Sequence, residues 1–253
     1  MSLEFHQFPC LSDNYGVLVH DDASNTTISV DAPDAGAVRD ALAEKGWSLT
    51  HILVTHHHAD HTQGIAELKE VTGCTVIGPD NAAIAGVDRT LADGDALQLA
   101  GDTVSVIATP GHTLDMLNYH FVNAGVLFAA DTLFALGCGR VFEGTPQMMW
   151  DSLSKLAKLP PQTIVYCGHE YTQANAKFSL TVDGGNKALQ ERAARIDAMR
   201  ARGESTVPTT IALELETNPF LRAGDPQIRK NLGMEDASNA EVFTEIRERK
   251  NNA

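Results

Sequence analysis

Apolar and polar positions follow two regimes along the chain. Up to residue 167, apolar residues fall in short runs of four to seven positions, separated by polar turns and glycines. Such runs read as strands where β-branched and aromatic residues dominate. They predict strands over 15–19 and 26–30, joined by the polar turn 20–25, and over 51–55 and 75–77. Further strands are predicted over 96–99, 103–108, 117–122, 126–130 and 163–167. Between them, residues 35–45 and 65–71 carry helical spacing and stop at Gly46 and Gly73, and 148–159 is helical as well.

The second regime begins near residue 170. Residues 171–202 are helical in composition, interrupted by Asp183-Gly184-Gly185. An extended stretch is predicted over 208–216, then short helices after Asn218-Pro219. The pattern predicts a mixed α/β body, residues 1–168, followed by a helical extension, residues 169–253, with the boundary falling within 165–172.

Composition narrows the partners. The 253 residues are 43% hydrophobic and 21% charged, as in an ordinary globular protein. The formal charge of −14, from 33 acids against 19 bases, disfavours a nucleic-acid partner. No apolar run approaches the roughly 20 residues of a membrane span. Residues 1–6 have neither a basic nor an apolar segment and read as no secretory signal. The four cysteines, at 10, 74, 138 and 167, form no Cys-x-x-Cys pair, which points to a reducing compartment and a cytoplasmic protein. Cys10, Cys74 and Cys167 read as buried small side chains, and Cys138 as a lining residue without a nucleophilic role.

Candidate chemistry lies at the strand ends. The apolar run 51–54 leads into Thr55-His56-His57-His58-Ala59-Asp60-His61. The run 103–108 leads to His112, 126–130 to Asp131, and 163–167 to His169. Imidazole with carboxylate suits zinc, iron or manganese better than calcium. Seven such groups exceed the three or four that one zinc takes, so two divalent ions sharing a carboxylate account for the number. His56 and His58, two apart, can converge on one ion; Asp60 and His61 can serve the other; His57 points elsewhere. His6, His20, His51 and His120 stand alone and read as structural or exposed.

The His-x-His-x-Asp-His segment, with His112, Asp131 and His169, resembles the metallo-β-lactamase superfamily over residues 1 to about 170. The resemblance implies an αββα sandwich with the metals at one edge of two sheets. It implies a first ion held by His56, His58 and His112, a second by Asp60, His61 and His169, and Asp131 as the bridge. Asp60 and Asp131 then act in catalysis as well as ligation.

Asp13-Asn14-Tyr15, Asp131-Thr132-Leu133-Phe134, Gly137-Cys138-Gly139-Arg140, Cys167-Gly168-His169-Glu170-Tyr171 and Asn218-Pro219-Phe220 together resemble the glyoxalase II family across the whole chain. That resemblance implies cleavage of the thioester of S-D-lactoylglutathione by a monomeric enzyme with two zinc ions. Iron or manganese would be an alternative. Arg140, Tyr171, Arg247 and Lys250 match its glutathione-contacting positions. Residues 247 and 250, three apart, share a face of the last helix, with Val242, Phe243 and Ile246 as its anchor. Phe142 replaces a tyrosine usual in the family and would lose a hydroxyl contact; Met116 stands where a histidine is common. The rival expectations are another hydrolase or an oxygenase on the same fold, and a non-catalytic binder of metal or glutathione conjugates.

Overall fold

A computed structural model describes residues 3–253. Met1 and Ser2, the start of the segment read as no secretory signal, lie outside the described residues.

Fourteen strands occur among the described residues, most of them in two six-stranded sheets. The first sheet runs in sequence order: β1 (Glu4–Cys10), β2 (Asn14–Asp21), β3 (Thr26–Val30), β4 (His51–Leu53), β5 (Thr75–Pro79) and β6 (Arg89–Leu91). Its first three strands are antiparallel; β3 to β6 are parallel, with Val30 opposite Leu53 and Leu53 opposite Ile77. The β3–β4 crossover is made by α1 (Ala35–Lys45) and the β4–β5 crossover by the short α2 (Ala59–Thr62) and α3 (Ile65–Thr72), while residues 80–88 join β5 to β6 without a helix. Asp34 caps α1, and Gly46 and Gly73 end α1 and α3 with φ of 71° and 68°, as predicted.

The second sheet contains β7 (Ala96–Leu99), β8 (Asp102–Ala108), β9 (Leu117–Phe121), β10 (Val126–Ala130), β13 (Ile164–Cys167) and β14 (Thr209–Thr210). Its order is β14-β13-β10-β9-β8-β7. Strands β11 (Leu133–Phe134) and β12 (Gly137–Cys138) form a small hairpin directly after Asp131. The remaining helices are α4 (Pro146–Leu156), α5 (Thr172–Asp183), α6 (Lys187–Ala201), α7 (Ile211–Thr217), α8 (Pro226–Leu232) and α9 (Asn239–Asn251).

Two compact units can be told apart. The first comprises residues up to 108 with 115–128, and its core packs Leu18, Ile52, Val54 and Val76 against Val38, Leu42, Ile65 and Leu68 of the crossover helices. The second comprises 109–114 and 129–253. There Leu136 packs with Ala176, Leu189, Ala193 and Ile196, and Val242, Phe243 and Ile246 are fully buried, the anchor predicted for α9.

A buried polar network runs through the second unit. The Glu214 carboxylate accepts from Arg192 Nη2 at 2.5 Å, Thr209 Oγ1 at 2.6 Å, Leu136 N at 2.8 Å and Asn218 Nδ2 at 3.0 Å. Asn218 Nδ2 also donates to the carbonyls of Phe134 and Gly137. The helical extension thereby grips both strands of the β11–β12 hairpin.

Three elements differ from expectation. Residues 211–217 are helical, not extended: Thr210 caps the helix by accepting from Leu213 N, and Ala212-Leu213-Glu214-Leu215-Glu216 are strong helix formers. Strand β1 escaped the period-2 reading because Pro9 interrupts it, which an edge strand tolerates. Residues 59–62, for which no helix was predicted, form one helical turn. All four cysteines are buried thiols, and burial pushes Cys10 and Cys167 up to about 12, which leaves them inert at neutral pH. No helix among the described residues is long and apolar enough to cross a membrane.

Candidate metal centre and its cationic flank

Strand β4 gives way to the buried residues Val54, Thr55 and His56. The single turn of α2 then sets Asp60 and His61 side by side. His61 N donates to His58 O at 3.0 Å, and Thr62 Oγ1 to the same carbonyl at 3.0 Å. The His56 ring lies 4.2 Å from His61 and 4.8 Å from His58, centroid to centroid. Asp60 Oδ2 stands 3.6 Å from His61 Nε2 and accepts from Asn14 Nδ2 at 3.1 Å.

Outer partners fix these rings. His61 Nδ1 is 2.7 Å from Asp31 Oδ2, and His56 Nδ1 is 3.0 Å from Thr55 Oγ1. Both rings therefore present Nε2 on their inner side. His57 turns away to Asp115, 3.0 Å from its Nδ1, as the spacing predicted; Asn81 holds that carboxylate from its other oxygen.

In the second unit, His112, Asp131 and His169 are all buried. Asp131 Oδ2 lies 3.3 Å from His112 Nε2 and 3.4 Å from His169 Nε2. Two donors bound 2.0–2.1 Å from a tetrahedral zinc stand about 3.3–3.4 Å apart, so these spacings suit atoms that share ions. His112 Nδ1 donates to the Arg140 carbonyl at 2.8 Å. The backbone beside Asp131 has no room to spare: a Cβ on Gly139 would meet the Asp131 carbonyl oxygen at 1.9 Å. His169 stacks on Tyr171 at 4.7 Å with the rings 3° from parallel, and Phe134 abuts both edge-on.

Within the first unit His56, His58, Asp60 and His61 gather, and within the second His112, Asp131 and His169 do. All seven residues singled out in the sequence are placed in these two groups. The donor chemistry, imidazole nitrogen and carboxylate oxygen alone, fits first-row divalent ions.

A cationic flank adjoins His112 and Asp131 within the second unit. The Arg140 side chain is exposed, while its carbonyl holds His112. Burial, then the charges of Arg247 and Arg140, hold the Lys250 ammonium below the usual lysine range. Lys250 Nζ sits 5.3 Å above the Phe178 ring and donates to Ala174 O at 3.3 Å. Arg247 is placed differently from a surface pair. It is 5% exposed, donates from Nη1 to Cys138 O at 2.9 Å, and lies 5.1 Å above the Phe220 ring. Phe142 is 62% exposed with its ring 5.1 Å from His112.

Sequence reasoning missed Asp31. It directly follows β3, as Asp131 follows β10, but a lone carboxylate after a strand carries no distinctive spacing.

Fold and site together define a metallo-β-lactamase-fold protein, and the family model of the metallo-beta-lactamase superfamily matches residues 26–169. A crystal structure of ETHE1 from Myxococcus xanthus superposes with a TM-score of 0.70 at 29% identity, covering 97% of this chain and 90% of that one. The model for the hydroxyacylglutathione hydrolase C-terminus matches residues 170–253. A hydroxyacylglutathione hydrolase of Rhizobium meliloti is 58% identical over 253 residues, 99% of both chains. One of Rhizobium etli is 57% identical over 252 residues, 99% of this chain and 98% of the relative. The chain belongs to the hydroxyacylglutathione hydrolase family.

Proposed function

We propose that the chain hydrolyses the thioester of S-D-lactoylglutathione and related 2-hydroxyacylglutathiones to the 2-hydroxy acid and glutathione. The carrying observation is the juxtaposition, within one compact unit, of a cationic flank and a buried His/Asp donor set. Full-length likeness to hydroxyacylglutathione hydrolases supports the substrate class.

His56, His58 and His112 would hold one divalent ion, Asp60, His61 and His169 a second, and Asp131 both. Zinc is the first expectation, with iron or manganese as alternatives. Such a pair supplies Lewis acidity and a water that ionises near neutral pH. The chain's own groups do the rest. Arg140 and Lys250 attract the glutathione carboxylates, and Arg247 braces the Cys138 carbonyl beneath them. Tyr171 and Phe142 flank the donor set as apolar walls. Fixing the glutathione end places the acyl carbon, converting binding energy into position. Water adds to that carbon, the C–S bond breaks, and sulfur leaves with the electron pair as a thiolate, a fair leaving group at a thiol pKa near 8.5.

In this reading residues 1–168 are the catalytic domain and 169–253 the glutathione-binding domain. The enzyme acts as a cytoplasmic monomer on a small molecule, with neither nucleic acid nor membrane as partner. The test is turnover of S-D-lactoylglutathione with metal content measured on the same preparation, for the wild type and Lys250→Ala. The expected result is two ions per chain, with KM raised by the substitution and kcat little changed. A preparation with two ions and no thioester hydrolysis would sink the substrate assignment.

A further inference from the structure

We propose that the helical extension holds a second binding site, a cavity between α5, α6 and α7 that takes a small monocarboxylate with a short apolar body. The cavity measures about 170 Å³ and lies wholly within the second unit. An apolar cavity of about 150 Å³ holds benzene, so this one fits a molecule of about six to eight non-hydrogen atoms. Arg195 and Pro208 are exposed at its mouth, and Thr172, Ile196 and Thr209 are buried in its wall. None of these residues belongs to the donor set or the cationic flank.

The free donors fix the ligand's chemistry. The Thr206 hydroxyl donates to Glu170 Oε1 at 2.6 Å and the Thr209 hydroxyl to Glu214 Oε1 at 2.6 Å, so neither has a proton left for a ligand. Both terminal nitrogens of Arg192 are engaged as well, on Leu213 O, Thr217, Thr209 and Glu214. Arg195 and Thr172 differ. Arg195 makes no hydrogen bond or ion pair among the described residues. Thr172 is 1% exposed, and its hydroxyl has no hydrogen-bond partner among them. In a helix threonine divides between two χ1 rotamers, so a turn about one bond brings that hydroxyl to the cavity face. A buried hydroxyl left unsatisfied is costly, and an acceptor in the cavity relieves it.

An unpaired cation beside a spare O–H calls for an anionic acceptor, and the planar guanidinium fork suits a carboxylate. The pairs Arg192–Glu214 and Arg200–Glu170 cancel, which leaves the single charge of Arg195 and matches a monoanion. Ile196, Met199 and Leu213 supply apolar wall. A phosphate or sulfate, charged on every side, would leave oxygens against that wall without partners.

The test is a titration of the zinc-loaded full chain with butyrate, followed by its amide nitrogen–proton spectra. Saturable shifts at Thr172, Arg195, Ile196 and Thr206 are expected. Butyramide has the same shape without the charge, and inorganic phosphate has charge without the apolar body. Each should bind at least about tenfold more weakly, since one loses the charge-assisted hydrogen bond and the other the apolar contact. Arg195→Gln should weaken butyrate about tenfold and leave butyramide unchanged, a separation that a merely structural role would not produce. Thr172→Val should weaken butyrate about twofold or more. Shifts that never saturate, equal affinity for butyramide or phosphate, or unchanged butyrate affinity in either variant overturns the inference. So do shifts confined to the surroundings of His112 and His169, since butyrate is then a ligand of the metal centre only. The three probes are compared on the wild type, so the inference stays falsifiable even if Thr172→Val fails to fold.

Discussion

Replacing Arg192 with Met should cost this protein far more than an ordinary surface substitution. The Glu214 side chain is completely buried and Arg192 almost so, and their charges meet at 2.5 Å. Methionine matches much of the arginine stem but removes the only cation on that carboxylate among the described residues. Leu136 N, Asn218 and Thr209 would remain as neutral donors to a buried anion. Removing one partner of such a pair costs about 3–5 kcal/mol, because the remaining charge is stranded. For a chain of this size each kcal/mol moves the midpoint by about 2–4 °C, so the expected loss is roughly 6–20 °C. The assay is thermal unfolding followed at 222 nm in excess chelator, so that bound metal does not mask the difference. Adding Glu214→Gln to Arg192→Met removes the stranded charge and should recover most of the loss. A shift below about 2 °C for Arg192→Met, or a double variant as unstable as the sum of the singles, would refute the reasoning.

Two further outcomes are expected. Gly139→Ala should abolish thioester hydrolysis and halve the metal content or worse, since the new methyl group must displace the Asp131 carbonyl; full metal content by elemental analysis would contradict that packing. Phe142→Tyr restores a hydroxyl on an exposed ring beside His112 and should lower KM by about 2–12-fold, the worth of one net hydrogen bond of 0.5–1.5 kcal/mol; an unchanged or higher KM would show that the hydroxyl meets no partner in the complex.

Much of the candidate site was legible because candidate ligands at strand ends leave a local signature. His56, His58, Asp60 and His61 lie within six residues, and His112, Asp131 and His169 each follow an apolar run. The strands 26–30, 96–99 and 126–130 and the helix 35–45 match their predicted bounds, since turn residues or glycine punctuate both ends. What stayed hidden depends on contacts between distant residues. Nothing local marks Glu214 as buried; that follows from Arg192, 22 positions away, and from a hairpin 78 positions away. Arg247 and Lys250 share a helix, as their spacing requires, yet only tertiary packing against Cys138 and Phe220 buries the arginine. Asp31 was passed over because a single carboxylate after a strand has no distinctive spacing. Its meaning appears only when Thr55 and His61 fold onto it.

The grip of Asn218 and Glu214 on the β11–β12 hairpin bears on how such a protein can change by descent. The hairpin begins two residues after Asp131, and its carbonyls at 134 and 137 and its amide at 136 are satisfied by side chains from the far end of the sequence. A recombination joining residues 1–168 to a foreign C-terminal segment would strip those partners from beneath the metal centre. The helical extension cannot be traded as a cassette. Change in the extension must come by substitution around the Arg192–Glu214–Asn218 network, with that network inherited intact.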